Sequence, residues 1–128
     1  MAALLLLAGV AQGAVTGHQR GEYRFETGPV PDFVERAALP DQWPEDAPGA
    51  GDERWRYWLY DIQADRREGR DALFVDYAYE ARGASLVGEA GRFQISFNPE
   101  YQRLRIHDVE LRRDGAWHDR LDAERISL

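Results

Sequence analysis

The stretch Arg54-Trp55-Arg56-Tyr57-Trp58-Leu59-Tyr60-Asp61-Ile62, followed after a polar break by Leu73-Phe74-Val75-Asp76-Tyr77-Ala78-Tyr79-Glu80-Ala81, decides the fold class. Successive side chains of a strand point to opposite faces, so alternation with a period of two marks strands. In the first segment Trp55, Tyr57, Leu59 and Asp61 share one parity, while Arg54, Arg56, Trp58, Tyr60 and Ile62 share the other. The first parity is expected to face the core near the start of the strand. In the second segment Leu73, Val75, Tyr77, Tyr79 and Ala81 fall on one face and Phe74, Asp76, Ala78 and Glu80 on the other. The intervening Asp65-Arg66-Arg67-Glu68-Gly69-Arg70 reads as a turn, so the pair is a hairpin.

The pattern repeats on both sides. Tyr23 and Phe25 alternate with Arg24 and Glu26 until Gly28-Pro29-Val30-Pro31, whose prolines cannot donate to a ladder. Phe33 and Val34 follow in an extended segment, and Leu39 to Glu53, LPDQWPEDAPGAGDE, has no periodicity and reads as a loop. Downstream, Gly88-Glu89-Ala90-Gly91 is expected to break the chain before a strand carrying Phe93, Ile95 and Phe97, which Asn98-Pro99 ends. Leu104 and Ile106 share one parity whereas Val109 and Leu111 share the other, which calls for a bulge near His107-Asp108. Asp114-Gly115 is the dipeptide of a two-residue type I′ hairpin. No apolar stripe of helical period runs beyond ten residues. The expected fold is therefore all-β, an antiparallel β-sandwich or open barrel of about 6 to 9 strands with little helix.

Composition removes several function classes. The 128 residues carry 16 basic side chains, all Arg, against 23 acidic ones, a net charge of −7. Such a field repels polyanions, so no nucleic-acid partner is expected. With no Cys there is no disulfide, thiolate zinc site, iron-sulfur cluster or thiol nucleophile. The apolar run Ala2 to Val10 precedes Ala11-Gln12-Gly13, whose small residues at positions −3 and −1 suit cleavage after Gly13. Residues 1–13 thus read as a secretory signal peptide, and the apolar stretch is shorter than the ~20 residues of a spanning helix. A periplasmic or secreted protein without a permanent membrane anchor is expected, its β domain occupying residues 14–128.

The order Tyr23-Phe25, Pro29-Val30-Pro31-Asp32-Phe33-Val34, Tyr60-Asp61-Ile62-Gln63, Tyr77-Tyr79, Phe97-Asn98-Pro99-Glu100-Tyr101-Gln102-Arg103-Leu104, His107 and Arg112-Arg113-Asp114-Gly115 resembles the DUF3857 family. The resemblance implies an N-terminal β-sandwich domain of an exported bacterial protein, in which a transglutaminase-like domain with a Cys-His-Asp triad follows. It carries no catalytic residue onto this chain, because the nucleophile of that triad is a Cys. The implied role is a non-catalytic accessory or interaction domain whose partner is a transglutaminase-like domain, in the same chain or a separate one. The alternative is a free-standing periplasmic binding module that grips a peptide or glycan through an aromatic and Arg sheet face.

Candidate chemistry elsewhere is weaker. His107-Asp108 and His118-Asp119 offer ligand types suited to divalent metals, yet strand neighbours point to opposite faces, so no metal site is expected. His107 reads as a hydrogen-bonded structural residue and His118 as a surface one. Ser85, Ser96 and Ser127 lack a nucleophile elbow, and the carboxylate pairs Asp52-Glu53 and Asp61 with Asp65 read as solvated. Gly83, Gly88 and Gly91 form no phosphate-binding loop, and no cofactor is expected. What remains is the aromatic and Arg cluster, read either as sheet packing or as an interface formed by Arg54, Arg56, Trp58 and Tyr60.

Overall fold

The computed structural model describes residues 13–41, 49, 51 and 54–128. Residues 1–12 of the expected leader lie outside this set, as does most of the Leu39 to Glu53 loop. Among the described residues the chain is all-β, with seven strands, one short helix and a closing 3-10 turn. In order they are β1 (Thr16–Arg20), β2 (Tyr23–Thr27), β3 (Arg54–Asp65), β4 (Ala72–Arg82), α1 (Ala84–Ala90), β5 (Arg105–Ile106), β6 (Glu110–Arg113) and β7 (Ala116–Asp119). They form the open sheets β1-β2-β5, β3-β4 and β6-β7, none of which closes into a barrel. Contacts gather the chain into two compact units, residues 1–30 with 96–128 and residues 31–95.

The first unit is built around Phe25, which is 1% exposed. Its ring stacks on that of His18 across the β1–β2 ladder at 4.8 Å, and His18 Nε2 is hydrogen-bonded to Thr27 Oγ1 at 2.8 Å. β1 carries no apolar alternation, so its pairing with β2 overrides a sequence, TGHQR, that reads as polar. β5 pairs with β2 in parallel, an exception to the otherwise antiparallel ladders. Glu26 N donates to Leu104 O at 2.9 Å, and Arg105 grips the Glu26 carboxylate at 2.8 Å. The parity change beyond Ile106 is met by an interruption at residues 107–109 and not by a bulge within a strand. His107 is half-buried there and its Nδ1 pairs with Gly28 O at 2.9 Å, so it is hydrogen-bonded as expected. At the end of the chain Arg20 donates to Ala123 O and Ile126 O, anchoring the final turn.

The second unit is the β3–β4 hairpin followed by α1. The helix stands where the sequence reading places a break, because ASLVGEA holds few poor helix formers besides Gly88. Its end is tied down by the Tyr79 hydroxyl, which donates to Ala90 O at 2.9 Å. The strand expected through Phe93, Ile95 and Phe97 is absent; residues 92–98 find no ladder partner among the described residues. Apolar alternation there is not sufficient without a neighbouring strand to pair with.

The Asp114-Gly115 turn joins β6 to β7 with φ of 51° and 77°, both left-handed as a type I′ turn requires. A Cβ on Gly115 would meet nothing within 4 Å, so the backbone angle alone penalises a side chain. Gly115→Val is expected to destabilise the protein by about 1 to 3 kcal/mol, seen as a lowered melting temperature. An unchanged melting temperature would mean that the turn is not left-handed in solution.

Candidate interaction face

The β3–β4 ladder determines which side chains share a face. From Arg54↔Arg82 to Tyr57↔Tyr79 the register is regular, and it resumes from Leu59↔Ala78 to Asp65↔Ala72 with one residue more on β3. Trp58 is the extra residue of a β-bulge, and beyond it every β3 side chain changes parity. One face therefore carries Trp55, Tyr57, Tyr60 and Ile62 from β3 with Val75, Tyr77 and Tyr79 from β4. The other carries Arg54, Arg56, Leu59, Asp61 and Gln63 with Phe74, Asp76, Glu80 and Arg82.

This reverses the expected core face near the start of β3. Tyr57 is 66% exposed and Tyr60 67%, and Trp55 is exposed as well, whereas Arg54, Arg56 and Trp58 are half-buried. The polar side is the more sheltered one and is also cross-linked. Gln63 donates to Glu35 O and accepts from Glu35 N, at 2.7 and 3.0 Å, and Arg36 reaches Asp76 at 3.1 Å. The Arg56 guanidinium lies 4.5 Å from the Trp58 ring centre and 3.8 Å from the Glu80 carboxylate. Phe74 is buried on the same side.

The four residues expected to form an interface are thus divided. Tyr60 lies on the exposed aromatic face, while Arg54, Arg56 and Trp58 belong to the sheltered side. The residues that the expected interface left out are Trp55 and Tyr57, read as core, Tyr77 and Tyr79 on β4, and Arg92 and Phe93 beyond α1. Their rings form a connected ladder: Trp55 to Tyr79 at 5.5 Å, Tyr57 to Tyr79 at 6.0 Å and Tyr77 stacked on Tyr79 at 6.0 Å with 14° between planes. Burial pushes the phenols of Tyr77 and Tyr79 above the usual tyrosine value, and neighbouring Tyr57 adds to both, as Tyr79 and Tyr60 do for Tyr77. With Arg92 and Phe93 the ladder bounds an open cleft of about 290 Å³.

Among the described residues no three His, Cys, Asp or Glu side chains converge. His118 is exposed on β7. No helix among the described residues is long and apolar enough to cross a membrane. Comparison with protein-family models, curated proteins and solved structures yields no match.

The far end of the hairpin is held by a carboxylate. Asp65 is 5% exposed and accepts from Arg67 Nε and Nη2 at 2.8 and 2.7 Å and from Arg67 N at 3.3 Å, with Arg70 at 3.8 Å. The Arg67 side chain is the main reason its pKa falls from 3.8 to about 2. A depressed carboxylate contributes stability above its unfolded pKa and loses it as pH falls through the folded one. The unfolding midpoint is therefore expected to drop between pH 4 and pH 2, and Asp65→Asn should lower it at neutral pH while flattening that decline. An equally steep acid decline in the Asn variant would count against this role.

Proposed function

We propose that this chain is a non-catalytic interaction domain of an exported bacterial protein and that it docks a protein partner on the aromatic face of the β3–β4 hairpin. The observation that carries the reading is the exposure of Tyr57, Tyr60, Ile62, Leu73 and Val75 together on one side of two long paired strands. A contiguous exposed apolar surface of this kind marks an interaction site, since isolated apolar side chains are ordinary but connected ones are not. Trp and Tyr also suit hot spots, because they remove large area from water while keeping a polar tip.

The resemblance to the DUF3857 family supplies the partner, a transglutaminase-like domain, and the apolar leader supplies the periplasmic or secreted setting. The non-catalytic part rests on composition: a chain without Cys cannot furnish the nucleophile of a Cys-His-Asp triad. A protein surface fits this face better than a single small ligand. Its apolar residues run from Trp55 at one end to Leu73 at the other, the full length of the ladder.

A photo-crosslinking residue placed at Tyr60, with the same residue at exposed Glu22 as control, tests the reading in the exporting host. Adducts with a protein carrying a transglutaminase-like domain are expected at Tyr60 and not at Glu22. Adducts to unrelated proteins only, or none above the Glu22 background, would contradict it.

A further inference from the structure

The aromatic face of the β3–β4 hairpin is complementary to itself. No ladder residue on it bears a charge, from Trp55 opposite Ala81 to Ala64 opposite Leu73, whereas the other face carries arginines, aspartates and a glutamate. Two chains of net charge −7 repel one another, and on this face alone of the hairpin they meet without bringing like charges together. The area suffices as well. Trp55, Tyr57, Tyr60, Ile62, Leu73 and Val75 are all exposed. At about 200 Å² for a whole large side chain, their exposed fractions amount to roughly 650 Å² per copy. Two copies face to face would remove roughly 1,300 Å² from water, within the ~1,200–2,000 Å² of stable interfaces.

Shape selects the orientation. The cleft of about 290 Å³ lies at the Trp55 end of the ladder, and exposed Leu73 stands at the other. From Leu73 to Ala81, the ladder partner of Trp55, β4 runs about 26 Å at ~3.3 Å per residue. Sheets packed face to face about a two-fold axis that lies between them and across the strands put each Leu73 over the other copy's cleft. An aliphatic side chain needs no hydrogen bond, and the open mouth leaves the phenol oxygens within reach of water. We propose that the free chain dimerises through this face, with the hairpins antiparallel and Leu73 of each copy in the aromatic cleft of the other. The second copy then occupies the site of the docking reading, so a docked partner displaces it; this consequence alone rests on that reading.

The test is sedimentation equilibrium of the protein purified from the exporting host, with the Trp55 indole resonance followed over the same concentrations. A monomer-to-dimer transition is expected that tightens as salt screens the net charge of −7, and the Trp55 resonance should move with it. Leu73→Glu, at an exposed position, should raise the dissociation constant at least about tenfold by bringing a charge to the cleft, and should remove the concentration dependence of Trp55. Within one copy the two residues lie at opposite ends of the ladder, so their coupling reports the second copy. A chain that stays monomeric up to about 1 mM, a dimer that weakens with salt, or one indifferent to Leu73→Glu would overturn the proposal. The two readings fail separately. A monomer whose Tyr60 adducts include a transglutaminase-like protein removes only the dimer; a dimer without such adducts removes only docking.

Discussion

The β3–β4 ladder, with the single extra residue at Trp58, governs this molecule's second unit. A one-residue slip in a strand moves every later side chain to the opposite face. Here the slip is built into β3 against an uninterrupted β4, and it gathers Trp55, Tyr57, Tyr60 and Ile62 on one side although their spacing in the sequence is irregular. Without it Tyr60 and Ile62 would join Arg54 and Arg56, and neither face would be coherent. The bulge is thus what turns a mixed sequence into one aromatic surface and one polar surface.

A two-stranded hairpin is only marginally stable by itself in water. This one is reinforced on its polar side by Gln63 with Glu35 and by Arg36 with Asp76, and at its turn by Asp65 with Arg67. The three buried apolar side chains of the described chain are Phe25, Phe74 and Ile106, of which Phe74 alone lies in this hairpin. The aromatic side therefore leaves much of its apolar area in water. Covering it would add hydrophobic stabilisation at roughly 25 cal/mol per Å² before the costs of association. The stability of the hairpin thus depends on how far that face is covered.

Much of this was legible in the sequence, and the exceptions have physical causes. Alternation located β2, β3 and β4, and Asp114-Gly115 located the β6–β7 turn, because those signals are local. β1 was not legible, since TGHQR has no apolar period and becomes a strand only by pairing with β2. Phe93, Ile95 and Phe97 alternate but lack a neighbour, so period without pairing gave no strand. The face assignment failed for a subtler reason. The aromatic and apolar positions 55, 57, 60 and 62 step by two, then three, then two, and that step of three is the mark of a bulge. Reading β3 as one unbroken parity placed Trp55 and Tyr57 inside and grouped Tyr60 with Arg54, Arg56 and Trp58. Arg92 and Phe93 joined the cleft through α1, a tertiary connection that spacing does not reveal.

The most direct measurement is the cross-strand proton contacts of β3 and β4 in solution. The bulge requires Tyr57 opposite Tyr79 and Tyr60 opposite Tyr77, with Trp58 left without a ladder partner on β4. Nuclear Overhauser contacts between those backbone pairs, together with ring contacts from Tyr57 to Tyr79, are the predicted result. Contacts instead between Trp58 and Ala78 and between Tyr60 and Asp76 would show an unbroken register, place Tyr60 with the arginines, and dissolve the aromatic face on which the functional account stands.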